Sequence, residues 1–322
     1  MSTILVTGAA GFIGSNVSRA LLARGDAVIG VDNLNDYYDV TLKDARLARL
    51  TSDKAFTFLK ANIADKDAML KLSDRPIDGI IHLAAQAGVR HSLTDPYTYV
   101  TSNVMGQTVM LELARKLKGL KHFVYASSSS VYGGNTKMPF AVTDPVEQPN
   151  SLYAATKRAT ELFGFAYAHL YGIPSTGLRF FTVYGPWGRP DMAAFIFARQ
   201  IIAGEPIKVF NRGEMWRDFT YIDDIVNGVV RVLDRPATGT PPFKLYNLGN
   251  HKSEKLTDFI GEIERALQRK ARLQLEPMQP GDVPATYADI TESQRDLGFE
   301  PATPISAGIP KFIDWYKDYY GV

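Results

Sequence analysis

The sequence predicts an α/β fold, a doubly wound parallel sheet with a smaller C-terminal α/β lobe, and three observations carry that expectation. Short apolar runs alternate with helical patterns through the first half of the chain, as in strands joined by crossover helices. The first run leads straight into closely spaced glycines and then a helix, and the second ends on an acid, an order that dinucleotide folds share. A chain of 322 residues, 45% hydrophobic and 22% charged, also has enough apolar material for a full core with an appendage.

The expected strands are Ile4 to Val6, Ala27 to Val31, Phe56 to Lys60, Gly79 to Leu83, Phe123 to Ser127 and Ser175 to Arg179. The first runs into Gly8, Gly11, Phe12, Ile13 and Gly14, followed by a helix over Ser15 to Arg24. Glycines there allow a tight turn, close backbone approach to a pyrophosphate and close helix packing, and a helix N-terminus favours the anion. The second strand leads to Asp32, whose carboxylate can accept from both adenosine ribose hydroxyls and would repel a 2′-phosphate, so the expected cofactor is NAD and not NADP. Asn62 and "HLAAQ" at residues 82 to 86 fall at the ligand edge of later strands.

Two further segments bring acid–base chemistry. "SLYAATKRATELF" places Tyr153 and Lys157 one helical turn apart. A phenol titrates near about 10, and a lysine on the same face is expected to lower it into the range of a useful base. Upstream, "YASSSSVYG" puts Ser127, Ser128, Ser129 and Ser130 at a strand's C-terminal end, where a hydroxyl can share a proton with a substrate alcohol.

The bulk numbers exclude several alternatives. Thirty-six Lys+Arg against thirty-four Asp+Glu, a net charge of +2, gives no nucleic-acid surface. The absence of Cys removes disulfides and thiolate metal sites, and five scattered His make no metal centre. No apolar run suits a signal peptide or membrane span, so the expected location is the cytoplasm.

In the second half, "TVYGPWGRPDMAAF" forms a loop after the "GLRFF" strand and leads into a helix near Met192. Its one cation, Arg189, can take a carboxylate bidentately and with Thr182 select an acidic sugar. Phe210 suits stacking on a uracil or burial in the core, and Arg217 suits a diphosphate.

With "VTGAAGFIG", "HLAAQ", "NVMGQ", "SSSSVYG", "YAATK" and "RDFTYIDD" in order, nearly the whole chain resembles the extended short-chain dehydrogenase/reductase family and its nucleotide-sugar epimerases. The resemblance implies Ser128 as catalytic hydroxyl, Tyr153 as acid/base and Lys157 as the residue holding tyrosine and nicotinamide ribose. It implies NAD contacts from Gly8, Gly11, Phe12, Ile13, Gly14, Asp32, Asn33, Asn62, Ile63, Leu83, Ala84, Ala85, Gln86 and Asn103. Substrate contacts are expected from Arg90, Ser128, Ser129, Ser130, Thr182, Arg189, Phe210, Arg217, Gln279 and Asp282. Gln107 departs from the usual Thr of that motif.

"RFFTVYGPWGRPDMA" is similar to UDP-glucuronate 4-epimerases, whereas UDP-glucose 4-epimerases usually carry Asn where Thr182 stands. The implied activity is therefore 4-epimerisation of UDP-glucuronic acid to UDP-galacturonic acid through a 4-keto sugar, with UDP-glucose epimerisation or UDP-glucuronate decarboxylation as alternatives. A catalytically dead NAD-sensing protein would be expected to lose Tyr153 or Lys157. A 4,6-dehydratase would place Asp and Glu where Ser129 and Ser130 stand. The expected domains are residues 1–184 for NAD, with returning segments near 218–235 and 245–249, and mostly 185–322 for the sugar nucleotide. Helices near Tyr97 to Lys116 and Tyr153 to Tyr171 are expected to form a homodimer face.

Overall fold

The computed structural model describes residues 1–279 and 281–322. The first half runs β1 (Thr3–Thr7), α1 (Phe12–Ala23), β2 (Ala27–Asp32), α2 (Val40–Thr51), β3 (Phe56–Lys60), α3 (Lys66–Leu70), β4 (Gly79–His82), α4 (Pro96–Tyr99), α5 (Gly106–Lys116) and β5 (His122–Ser128). After it come α6 (Leu152–Tyr171), β6 (Ser175–Phe180), β7 (Thr182–Tyr184), α7 (Ala193–Ala203), β8 (Pro206–Val209), β9 (Trp216–Arg217), β10 (Phe219–Tyr221) and α8 (Ile222–Leu233). The chain closes with β11 (Phe243–Leu248), β12 (Glu254–Lys255), α9 (Leu256–Leu267), β13 (Arg272–Leu275), α10 (Thr291–Leu297) and α11 (Ile305–Tyr320).

Seven strands form one sheet in the order β11-β6-β5-β4-β1-β2-β3, with parallel pairing throughout. The seventh strand, β11, returns from the second half to pair with β6. Alternation along β1 sends Ile4 and Val6 into one core and Leu5 into the other, so both faces are buried, as the near-continuous apolar strands require. The order reverses between β1 and β4, and the strand ends there open a crevice for a ligand.

Helix starts follow local chemistry. Asp39 accepts from Thr41 N at the head of α2, and Ser151 Oγ accepts from Ala154 N at 3.1 Å at the head of α6, each satisfying an amide the helix leaves open. Helix α1 begins at Phe12, three residues before the expected Ser15, because extended Gly11 already serves as its N-cap. Between α4 and α5, Val100–Met105 forms a π-helical stretch. Such bulges gather at functional sites, and this one carries Asn103. The smaller lobe is built around α7, α9 and α11, with short sheets β8–β13 and β9–β12. Among the described residues no helix is long and apolar enough to cross a membrane.

Candidate active site

A continuous cavity of ≈ 1060 Å³ follows the C-terminal strand edge from the glycine loop to the smaller lobe, more than one small ligand requires. At one end Gly8 has φ +73 and a Cβ there would lie 2.8 Å from Ala84 N. A Cβ on Gly14 would lie 2.0 Å from Gly8 O, so these two glycines are needed by the loop's own packing as well as by any ligand. Among the described residues no side chain caps α1, which leaves its first-turn amides for an anion. Asp32 accepts from Ala10 N at 3.1 Å and from Leu34 N at 2.9 Å, one bond on each oxygen. Those bonds hold the carboxylate in place and leave lone pairs for ribose hydroxyls. Asn33, Asn62, Ile63, Leu83, Ala84, Ala85 and Gln86 line the same end, so the donor set fits a dinucleotide such as NAD.

Asn103 does not line the cavity. It is buried, accepts from Gln86 N at 2.8 Å, and donates to Gln86 O and Thr156 Oγ1 at 3.0 Å each. The expected cofactor contact is therefore a brace behind Gln86, ordered by the π-helical turn. His82 is also a brace: Thr7 Oγ1 lies 2.7 Å from its Nδ1, and burial pulls the ring's pKa down to about 3, keeping it neutral.

At the centre, Ser128 caps the turn after β5 and its Oγ donates to Ser130 Oγ at 3.1 Å. Ser127 Oγ goes elsewhere, to Glu161 Oε1 at 2.6 Å. Glu161 also takes Arg179 Nε and Nη2 at 2.8 and 2.9 Å, both side chains being fully enclosed. This buried network ties the ends of β5 and β6 to α6, one turn beyond Lys157.

The electrostatics differ from the sequence expectation. Burial pushes the Tyr153 phenol up, opposed by hydrogen bonding with Ser128 and by the charge of Arg189. Ser128 first and Arg189 second oppose that rise, while Lys157 Nζ donates to Ala126 O at 2.9 Å. Burial alone draws Lys157 down to about 8.

Arg189, the loop's one cation, is paired within its own loop: Nε and Nη2 both donate to Asp191, at 3.0 and 2.5 Å. At the far end Arg90 bridges to Asp282 at 3.1 Å and lies over the Phe210 ring, 4.5 Å from its centroid. Phe210 therefore lines the cavity and is not simply core. Arg217 Nη1 donates to Trp216 O and Pro284 O, and Thr182, Ser129 and Ser130 also line the wall. Gln279 does not, and its carbonyl accepts from Asp282 N at 3.2 Å.

Sequence reasoning missed the segment after Asp32. Asn35, Tyr37, Tyr38 and Lys43 line the cavity, and buried Arg46 donates to Ala10 O, Tyr38 Oη, Trp187 O and Gly188 O. Their signal was a polar stretch with two adjacent tyrosines next to a ligand-binding acid. Asn150, just before the Ser151 cap, also lines the cavity.

The NAD dependent epimerase/dehydratase family model matches residues 4–249. Protein CapI of Staphylococcus aureus is 46% identical, covering 98% of this chain and 99% of its own. UDP-glucuronate 4-epimerase 2 of Arabidopsis thaliana is 46% identical over 99% of this chain and 76% of its own. The crystal structure of UDP-glucuronic acid 4-epimerase from Bacillus cereus, in complex with UDP-glucuronic acid and NAD, superposes with a TM-score of 0.92 at 35% identity, covering 99% of this chain and 100% of that one. A glycine loop, a ribose-suited acid and a Ser–Tyr–Lys centre in one cavity agree with these matches, and the chain belongs to the NAD dependent epimerase/dehydratase family.

Proposed function

We propose that the protein is an NAD-dependent isomerase that interconverts UDP-glucuronic acid and UDP-galacturonic acid at C4. The observation that carries this reading is Arg189 in the same cavity as Ser128, Tyr153 and Lys157, its charge felt at the Tyr153 phenol. Bound NAD would supply a hydride acceptor for C4 and return the hydride to the opposite face of the resulting ketone. Asp32 would hold the adenosine ribose, the N-terminus of α1 the pyrophosphate, and Lys157 the nicotinamide ribose.

Tyr153 Oη removes the proton of the 4-hydroxyl and later gives it back, while Ser128 Oγ fixes the angle of that oxygen. Both gain from a dry site, since desolvation strengthens each hydrogen bond to the reacting oxygen. Arg217 and the uncapped N-terminus of α7, where Ala193 lines the cavity, suit the diphosphate. Phe210 and Arg90 suit the uracil, and Asp282 adds an acceptor. With that end anchored, the sugar can turn and present either face.

The 4-keto uronic acid is a β-keto acid, which loses CO2 when the bond to the carboxylate aligns with the ketone π-system. Arg189, Thr182 and the serine cluster hold the carboxylate out of that alignment. Elimination as in a dehydratase is disfavoured because Ser129 and Ser130 stand where its acid and base would be.

We also read the chain as an NAD lobe over residues 1–184 with returning segments near 218–235 and 245–249, a sugar-nucleotide lobe from most of 185–322, and a cytoplasmic location. Exposed Tyr97, Met105, Leu162, Phe165 and Leu170 on α4–α5 and α6 support a homodimer through this face. Light scattering should show a dimer that Leu162→Glu converts to monomer, and a monomeric wild type would refute the dimer.

Proton NMR of the protein with UDP-glucuronic acid and catalytic NAD tests the activity. UDP-galacturonic acid without net NADH is expected. Turnover of UDP-glucose alone would sink the carboxylate reading, and a UDP-pentose would mark a decarboxylase.

A further inference from the structure

Arg189 does not recognise anything as an isolated cation. Its Nε donates to Asp191 Oδ1 at 3.0 Å and its Nη2 to Asp191 Oδ2 at 2.5 Å, a fork that uses the side edge of the guanidinium. A guanidinium has a second bidentate edge, formed by Nη1 and the remaining Nη2 hydrogen, and among the described residues no protein hydrogen bond engages it. Both residues line the cavity.

Asp191 is braced from the other side of the cleft. Tyr37 Oη, on the segment after β2, donates to Asp191 Oδ2 at 3.2 Å. The loop carrying the pair is fixed two residues earlier, where Arg46 Nη2 donates to Trp187 O at 2.7 Å and Gly188 O at 3.0 Å. Tyr37 and Arg46 both come from the cofactor side of the molecule, so the direction of Arg189 is set from there and not by its own flexible loop.

A flexible arginine ordered in this way has little rotamer freedom left to lose on binding. The negative charge on Asp191 also matters. A carboxylate approaching the side edge, or the space above it, meets a like charge at close range, whereas one approaching the open edge meets two N–H donors. A neutral hydroxymethyl group gains less from that edge and is not steered by the like charge.

We propose that Asp191, braced by Tyr37, sets selectivity for the acidic sugar: by occupying the side edge of Arg189 it turns the open edge toward the substrate carboxylate and closes the other approaches. Asp191 acts here as a positioning residue, and the inference rests on the epimerase reading above.

The test is calorimetric binding of UDP-glucuronic acid and UDP-glucose to NAD-loaded protein, with Tyr153→Phe as the parent to stop turnover. The parent should prefer the uronate. Adding Asp191→Asn, which keeps the shape but loses the charge and one acceptor, should reduce that preference at least about tenfold. Tyr37→Phe should reduce it about two- to fivefold, with NAD content and melting temperature unchanged in both. A preference that is unchanged or larger overturns the proposal. So does an equal loss of both sugars, which would make the pair merely structural. If the parent itself shows no preference, the carboxylate reading of the site is what has failed, and the inference falls with it.

Discussion

The two ends of the cavity are built in opposite ways. Ser128, Tyr153 and Lys157 stand on the end of β5 and the first turns of α6, and behind them the Glu161–Arg179 pair is 0% and 1% exposed. At the far end Arg90, Phe210, Arg217 and Asp282 come from loops or short edge strands, and the Arg90–Asp282 pair is 51% and 17% exposed. Chemistry at C4 needs atoms held to a fraction of an ångström, and packed elements supply that. Recognition of a nucleotide tolerates adjustable loops. Substitutions at the two ends should therefore fail differently.

The largest contrast is kinetic. Tyr153→Phe should lower kcat by about a thousandfold and leave UDP-sugar binding within about threefold, since the hydroxyl acts mainly in the reacting state. Arg217→Ala should instead raise KM about tenfold or more and leave kcat nearly intact, the mark of lost uniform binding. Steady-state kinetics on the two variants breaks the comparison if Arg217→Ala lowers kcat alone.

Stability gives the next contrast. Glu161→Ala strands a buried guanidinium, and urea unfolding should show a loss of about 3–5 kcal/mol. Asp282→Ala removes a half-exposed pair and should cost less than about 1 kcal/mol. Equal costs would mean that the two ends are equally rigid.

A third test uses pH. Burial pulls His82 to about 3 and His122 to about 4, whereas each titrates near about 6.5 when unfolded. The unfolded chain then takes protons that the fold refuses, so their contribution is intact above about 6.5 and falls by about 1.4 kcal/mol per pH unit per histidine as pH drops. Asp218, between β9 and β10, has the opposite sign: burial, partly offset by Asn250 N and Ala288 N, raises it to about 6. Its contribution is full below about 3.9 and is lost as pH rises through about 6, so between those values it cancels one histidine. Unfolding free energies measured from pH 7 to 5 should fall with the slope of one group below pH 6, and Asp218→Asn should steepen that slope toward two. An unchanged slope would contradict the assignment.

The smallest effect sharpens the claim of rigidity. Tyr125 Oη is buried beside Gly164 and Gly177 and, among the described residues, has no hydrogen-bond partner. Removing an orphaned hydroxyl should be neutral or stabilise by up to about 1 kcal/mol, so Tyr125→Phe should melt at or above the wild-type temperature. A clear loss would point to a water-bridged hydroxyl in the core.

The same contrast explains what was legible in the sequence. Strand alternation, the glycine loop, Asp32 and the Tyr153–Lys157 spacing are local patterns set by helix and strand periodicity, and they placed the sheet and the catalytic centre. Asp191 on Arg189, Tyr37 on Asp191 and Arg46 on the loop at Trp187 join residues from distant segments, so no local spacing announces them. Asn103 was placed at the cofactor because a motif gives a neighbourhood but not a direction, and the π-helical turn directs it behind Gln86. Lys157 shows the same limit: periodicity puts it on the face of Tyr153, while a carbonyl of β5 decides where its ammonium rests.

The central claim is that one cavity oxidises and re-reduces C4 without releasing the sugar. It is tested most directly by incubating the protein with UDP-glucuronic acid deuterated at C4 in ordinary water with NAD. Mass spectrometry and NMR should find UDP-galacturonic acid with the deuterium still at C4, because the hydride lost from one face returns to the other. Deuterium lost to solvent, or found in NADH free in solution, would contradict the account.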